Sequence, residues 1–142
     1  MSHILKVSEA ASLALHSMAL LASQEGELMP IKKIAKRLKA SEAHLSKVLQ
    51  ALAKPGLVKS VRGPHGGFAI GKDIKDITLL EIFETIEGPL VATSCLFDEP
   101  ICDGVQCILS DLLETVSREV YSYLKEKRLS EFTKVFHKDN KD

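Results

Sequence analysis

Apolar and polar residues alternate at the helical period in three successive segments of the first half of the chain. The first segment begins after Ser8, which can cap a helix, and runs to about Ser23. The second begins at Pro30, and the third begins after Ser41 and stops at Pro55. Because a turn of only about three or four residues joins the second and third segments, the pattern predicts a helix-turn-helix.

Two short runs of apolar and β-branched residues come directly after these segments. They are Leu57–Val61 and Gly67–Ile70, and the residues between them are RGPHG. Runs of this length that flank a glycine-rich tip predict a β-hairpin. We therefore expect a mainly α fold with a small β-hairpin wing, which is a winged helix-turn-helix.

The second half of the chain predicts two further helices outside the helix-turn-helix. Thr78 can cap a helix that ends at Gly88-Pro89. A longer amphipathic helix is expected from about Ile108 to Lys127, and it would be roughly 30 Å long. A helix of that length exceeds the surface of a small winged domain, so we expect it to pair with its counterpart in a second chain. The alternative is that it folds back onto the first helix.

These elements divide the chain into three parts. Residues 1–90 form the expected winged DNA-binding domain, residues 91–107 a cysteine-bearing sensor loop, and residues 108–142 a long dimerisation helix with a tail. LSEFTKVF is expected to add a short final helix, and HKDNKD is expected to fray.

Charge is distributed unevenly, although the net charge of the chain is zero. Between Ile31 and His65, nine lysines and arginines oppose one acid, Glu42, and the net charge of this stretch is +8. Between Asp73 and Glu119, eleven acids oppose two basic residues, and the net charge is −9. A positive cluster suits the binding of a polyanion. Charge alone, however, favours the simpler interpretation of two solvated faces.

The second helix of a helix-turn-helix reads base edges from its N-terminal, groove-facing side. Here the candidates on that side are Ser41, Glu42, His44, Ser46 and Lys47. Lys47 is suited to donate to guanine O6 or N7, and Glu42 to accept from cytosine. An ordinary surface role is the alternative for each of them.

Other basic residues are suited to the phosphate backbone. Arg62 in the wing carries a planar donor fork that fits a phosphate or a narrow A·T minor groove, and His65 adds a donor. The preceding helix contributes attraction that is independent of sequence. Its basic residues are Lys32, Lys33, Lys36 and Arg37.

All three cysteines of the chain, Cys95, Cys102 and Cys107, lie in CLFDEPICDGVQC. Three thiols so close together in a cytoplasmic chain favour soft-metal ligation over disulfides, and an odd count leaves one thiol unpaired. An iron–sulfur cluster needs a fourth ligand from elsewhere. A zinc site with three cysteines, or three reduced thiols without metal, stays open.

The segment from Leu45 to Gly88 resembles the Rrf-two (Rrf2) family of bacterial winged-helix transcription regulators, the IscR/NsrR/CymR group. The most specific part is GLVKSVRGPHGG, and the resemblance covers nearly the whole chain. Pro55 departs from the pattern, which has a small residue at that position. The resemblance implies a homodimeric regulator, often a repressor, held together by the long helix near its C-terminus.

The same resemblance implies ligands for an iron–sulfur cluster. Cluster-bearing members carry three cysteines in this loop, although the spacing here differs from their commonest five-and-five pattern, so two irons or four stays open. A histidine three positions after the third cysteine, found in IscR-like members, is replaced here by Ser110. NsrR-like members use a carboxylate of the other subunit near the start of the first helix, and Glu9 is the matching residue. His3 and His16 are weaker candidates.

Together these features predict a cytoplasmic, homodimeric, sequence-specific regulator that binds an operator in double-stranded DNA. Its affinity would be set by an iron–sulfur cluster that senses redox state, nitric oxide or iron. The alternative is a cluster-free regulator controlled by thiols or by a partner. We expect no enzyme and no small-molecule substrate, because no catalytic set of residues emerges. We also expect no signal peptide and no membrane span.

Overall fold

The computed structural model describes residues 5–24 and 26–137. Within them the chain forms five α-helices, two β-strands and two short 3-10 segments, Ile74–Asp76 and Leu129–Phe132. The helices are Glu9–Ala22 (α1), Ile31–Leu38 (α2), Glu42–Ala53 (α3), Leu79–Glu87 (α4) and Leu112–Glu126 (α5). The strands are Val58–Val61 (β1) and Gly67–Ile70 (β2). The predicted winged helix-turn-helix is confirmed. His3 and residues 138–142 lie outside the described residues.

Three helices begin where their capping residues predict. The hydroxyl of Ser8 accepts from the backbone N–H of Ala11 at 3.0 Å, and that of Ser41 accepts from His44 at 3.1 Å. Thr78 does the same for α4. Each of these bonds satisfies a backbone donor that has no partner within its own helix. The turn between α2 and α3 is closed by Lys39, which adopts a left-handed conformation with φ of 53°.

The core is built around α1, which packs against α3, α4, β2 and the second 3-10 segment. α1 is buried on most of its surface, as its apolar residues on more than one side predict. The largest fully buried side chains come from nearly every element of the winged domain, and they include Met18, Leu21, Ile34, Leu49, Leu57 and Ile82. Leu129, which follows α5, is buried in the same core.

The wing, residues 58–70, is hydrogen-bonded to Met29, which lies two residues before the start of α2. Its strands pair antiparallel with Val58 opposite Ile70 and Val61 opposite Gly67. Met29 extends the sheet, because its N–H donates to the carbonyl of Phe68 at 2.8 Å and its carbonyl accepts from Phe68 at 2.9 Å. The wing and the helix-turn-helix therefore form one hydrogen-bonded unit.

The final long helix is shorter than its pattern predicts. α5 begins at Leu112, not at Ile108, and its 15 residues span about 22 Å instead of roughly 30 Å. Ser110 breaks the helix because it adopts a left-handed conformation with φ of 54°. Ile108 thus lies in a turn before the helix, and its side chain is fully exposed.

α5 is joined to the winged domain at its C-terminal end. Lys127 accepts a backbone hydrogen bond from Leu79 at 3.0 Å, and Leu129 donates one to Ile77 at 2.8 Å. α5 itself packs against α4, whereas the 3-10 segment that follows it packs against α1. Within the part of the chain that the structure describes, no residue of α5 is buried. None of the helices in residues 5–24 and 26–137 has the length and apolar character needed to cross a membrane.

Candidate nucleic-acid interface and cysteine loop

α3 presents the predicted base-contacting residues on its N-terminal half, but two of their hydroxyls already have local partners. The Ser41 hydroxyl caps the helix, as described above. The Ser46 hydroxyl accepts from Nε2 of Gln50 at 3.1 Å. Glu42 and Lys47 are exposed. Lys47 therefore carries the exposed positive charge of this helix face.

His44 lies close to a carboxylate of another helix. Its Nδ1 lies 3.8 Å from Oε1 of Glu9, and the two side chains are 36% and 79% exposed. Next to Glu9, the hydroxyl of Ser8 donates to Oε1 of Glu87 at the end of α4. The start of α1, the start of α3 and the end of α4 therefore meet through polar side chains. The sequence predicted both Glu9 and His44 as site residues, but not that they contact each other.

The tip of the wing is compact and exposed. The N–H of Gly66 donates to the carbonyl of Gly63 at 3.0 Å, which closes the turn between the strands. Arg62 and His65 are both exposed at this tip. Gly67 at its base accommodates the pairing with Met29, since a Cβ on Gly67 would lie 2.4 Å from the carbonyl oxygen of Met29.

The basic residues of α2 differ in their surroundings. Lys32 is exposed and Lys33 is half-buried. Arg37 lies over the ring of Phe136, with its Cζ 5.8 Å from the ring centroid, and its Nη2 donates to the carbonyl of His137 at 3.0 Å. The sequence predicts Arg37 as a source of attraction for DNA, which stays a prediction, and in the structure its guanidinium binds the C-terminal segment. Nothing in the basic pattern of α2 signals such a contact.

The cysteine loop, residues 91–107, lies between α4 and α5 without regular secondary structure. Its three thiols are free; Cys95 is half-buried, and Cys102 and Cys107 are exposed. Among residues 5–24 and 26–137, no three His, Cys, Asp or Glu side chains come together as a metal site. The single chain thus does not bring Glu9 and the three cysteines together, and the predicted ligand set stays a prediction.

A family model matches residues 7–134, and its description is Rrf2, iron-dependent transcriptional regulator. The chain belongs to the Rrf2 family. The match confirms the resemblance stated above over almost the whole chain, including the cysteine loop and α5. As a member of this family, the chain is a transcriptional regulator.

Individual Rrf2 relatives agree with this assignment. The chain is 34% identical over 112 residues to the HTH-type transcriptional regulator IscR of Xenorhabdus nematophila, across 79% of this chain and 68% of that one. Its fold is similar to that of CymR, the global cysteine regulator of B. subtilis, with a TM-score of 0.76 and 29% identity over 94% and 100% of the two chains. It is also similar to IscR of T. potens, with a TM-score of 0.70 and 28% identity over 98% and 93%.

Proposed function

We propose that this Rrf2 protein is a homodimeric, sequence-specific DNA-binding regulator, acting as a repressor, whose operator affinity depends on an iron–sulfur cluster. The proposal that the protein binds DNA rests on the position of the wing. Arg62 and His65 are exposed at its tip, and its base is hydrogen-bonded through Met29 to the start of the helix-turn-helix. A hairpin held in this way can present a guanidinium to a phosphate or a narrow groove while α3 lies in the major groove.

The basic residues around the wing support the same role. Lys32 on α2 and Lys47 on α3 are exposed, and only one acid, Glu42, lies between Ile31 and His65. Lysines that neutralise phosphates release counterions, so affinity for DNA falls steeply with salt. Arg62 supplies the donor with the most specific geometry, and Lys32 supplies attraction that does not depend on sequence.

DNA binding can be tested with a duplex that the wild-type protein has selected, by affinity, from a pool of random sequences. We expect affinity, measured by fluorescence anisotropy, to fall steeply between 50 and 200 mM salt, as is usual for several phosphate contacts. Arg62→Ala should weaken binding and lower the salt slope by about one. Lys75→Ala removes an equally exposed charge outside the interface and serves as the control. An affinity independent of salt would contradict the proposal.

The surface of α5 supports the dimer. Leu112, Val116 and Tyr123 lie along one stripe and are 53%, 43% and 51% exposed. The cysteine loop adds further exposed apolar residues on its approach to this helix, namely Val91, Leu96, Phe97, Ile101 and Val105. Exposed apolar side chains in such number favour a protein interface. A second copy of the chain, paired about a two-fold axis, would match an operator with two half-sites.

The cluster is supported by the chemistry of the cysteine loop. Three free thiols in an irregular segment are the ligands that an iron–sulfur cluster uses, and the loop has no secondary structure to prevent it from folding around one. Cys95, Cys102 and Cys107 would hold the cluster, with Glu9 of the partner subunit as the fourth ligand. When bound, the cluster supplies sensitivity to oxidants, nitric oxide or iron.

Anaerobic purification tests the cluster directly. We expect a brown protein with a visible charge-transfer absorption and with bound iron and sulfide, and we expect Cys107→Ala to remove all three. Glu9→Ala should weaken retention of the cluster without abolishing it. The cluster-loaded and cluster-free forms are then compared on the selected duplex. Equal affinities would contradict control by the cluster.

A cluster-free thiol regulator is the second candidate. It is favoured by the three free thiols, two of them exposed, and by the similarity of the fold to CymR. In that case the anaerobic protein would be colourless, and its DNA affinity would change on mild oxidation and return on reduction. The same purification therefore separates the two candidates.

A further inference from the structure

The segment that follows α5 returns across the winged domain. It begins at Lys127 and Leu129, whose backbone hydrogen bonds to Leu79 and Ile77 lie beside the start of α4. The side chain of Leu129 is fully buried in the core. The start of this segment therefore moves with the winged domain, and its path is set by two backbone hydrogen bonds and one buried side chain.

The end of the segment contacts two helices through one aromatic ring. The Phe136 ring packs edge-on against His16 of α1, with ring centroids 6.4 Å apart and planes at 75°. Its face lies under the guanidinium of Arg37 in the last turn of α2, at 5.8 Å. The same guanidinium donates to the carbonyl of His137 at 3.0 Å. Phe136 thus lies where α1, α2 and the C-terminal segment meet.

The chemistry of Arg37 suits it to hold this junction. A planar guanidinium can stack on a ring and donate in its own plane at the same time, which the ammonium group of a lysine cannot do. Both Arg37 and Phe136 are half-buried, so their contact is less screened than one on the open surface. The two contacts of Arg37 restrain the C-terminal end of α2, while Met29 restrains its N-terminal end through the wing.

We propose that Arg37 and Phe136 form a latch through which the segment after α5 positions α2 within the helix-turn-helix. Arg37 is then a positioning residue and not a phosphate contact. Because the segment is continuous with α5, the latch ties the orientation of the helix-turn-helix to the dimerisation helix. Its effect on DNA rests on the proposed function, whereas its effect on α2 does not.

Amide hydrogen exchange on the full chain without DNA tests the latch itself. Phe136→Leu keeps an apolar side chain but removes the ring face, and Phe136→Tyr keeps the face. We expect Phe136→Leu and Arg37→Gln each to speed exchange in Ile31–Leu38 about three- to tenfold, which corresponds to losing one cation–π contact or one hydrogen bond of a charged group. Phe136→Tyr and Lys36→Gln should leave exchange within about twofold of wild type.

The double variant Arg37→Gln with Phe136→Leu separates a shared latch from two independent contacts. Residues that act as one unit give non-additive effects. We therefore expect the double variant to exchange about as fast as either single one. An acceleration of exchange in the double variant equal to the product of the two single accelerations would overturn the proposal. Equal exchange rates for Phe136→Leu and Phe136→Tyr would also overturn it.

DNA affinity tests the positioning role, again with the duplex selected on the wild-type chain. We expect Phe136→Leu to weaken binding about three- to tenfold with an unchanged salt slope, because no phosphate contact is lost. If Arg37 instead contacts phosphate, Arg37→Gln will lower the salt slope by about one, and Phe136→Leu will leave DNA affinity unchanged. That result would overturn the latch. If the wild type binds no duplex, the proposed function fails while the exchange data still decide the latch.

Discussion

At the scale of single residues, α1 places one polar side chain, Ser17, in the hydrophobic core without a hydrogen-bond partner among the described residues. The side chain of Ser17 is fully buried. A buried hydroxyl without a partner costs about 1–3 kcal/mol. Ser23, at the end of the same helix, is also buried, but its hydroxyl donates to the carbonyl of Leu20 at 2.6 Å.

We therefore expect Ser17→Ala to raise the free energy of unfolding by about 1 kcal/mol, because it removes an unpaired hydroxyl and introduces a better helix former. Ser23→Ala is the matched control and should lower it by about 0.5–1.5 kcal/mol, since a formed hydrogen bond is lost. Urea denaturation of both variants measures the two changes. A loss of stability in Ser17→Ala would contradict this account.

Two glycines of the wing differ in what a side chain would meet. Gly63 has φ of 109°, and a Cβ there would have nothing within 4 Å. Gly67 has φ of 156°, and its Cβ would lie 2.4 Å from the carbonyl oxygen of Met29. Gly67 therefore allows the close approach of Met29. At Gly63, a side chain would be disfavoured only by the positive φ of the backbone.

Gly67→Ala should lower the free energy of unfolding by about 2–3 kcal/mol, because the backbone must shift to relieve the overlap. It should also weaken DNA binding, since the wing loses its pairing with Met29. Gly63→Ala is the control and should cost about 1 kcal/mol from backbone strain alone. Thermal melting and anisotropy on the selected duplex measure both effects. Equal losses in the two variants would argue against a role for the Met29 contact.

At the scale of elements, α5 is hydrogen-bonded to the winged domain at its C-terminal end and packs against α4, but one side of the helix is exposed. The helix has an apolar stripe, yet no residue of α5 is buried within the described chain. The first turn expected for it, from Ile108, is missing because Ser110 adopts a left-handed conformation. The apolar stripe therefore starts at Leu112, beside the exposed end of the cysteine loop.

We expect Val116→Asp to convert the protein from a dimer to a monomer at micromolar concentration, because it places a charge in the middle of this stripe. Light scattering after size-exclusion chromatography measures the change. Glu114→Gln, which is exposed on the opposite side of the same helix, is the control and should stay dimeric. A wild-type chain that is monomeric, or a Val116→Asp variant that remains dimeric, would exclude α5 as the interface.

At the scale of the whole molecule, the winged domain could be predicted from local signals. Ser8, Ser41 and Thr78 each cap the helix that they predict, and the glycine-rich tip lies between paired strands. These signals suffice because caps and turns depend on residues only a few positions apart. α5 was predicted to begin four residues too early, since nothing in the pattern marks the left-handed conformation of Ser110.

Contacts between distant parts of the chain could not be predicted in this way. Glu9 meets His44, Met29 pairs with Phe68, and Arg37 binds Phe136 and His137, and each contact depends on how whole elements pack. The three cysteines can be identified from the sequence alone. Whether they could bind one metal centre depends on the conformation of the loop, which the sequence pattern does not predict. The sequence could thus name candidate residues, but it could not predict their mutual arrangement.

The backbone pairing of Met29 with Phe68 also bears on the thermodynamics of operator recognition. A hairpin that moved freely would have to become ordered on binding, and each residue so ordered costs about 1–2 kcal/mol. In the proposed complex with DNA, the Met29 pairing would hold the wing and the helix-turn-helix at a fixed separation before binding. Association should therefore show a small heat-capacity change and a rate near that of rigid-body docking, limited by electrostatic encounter.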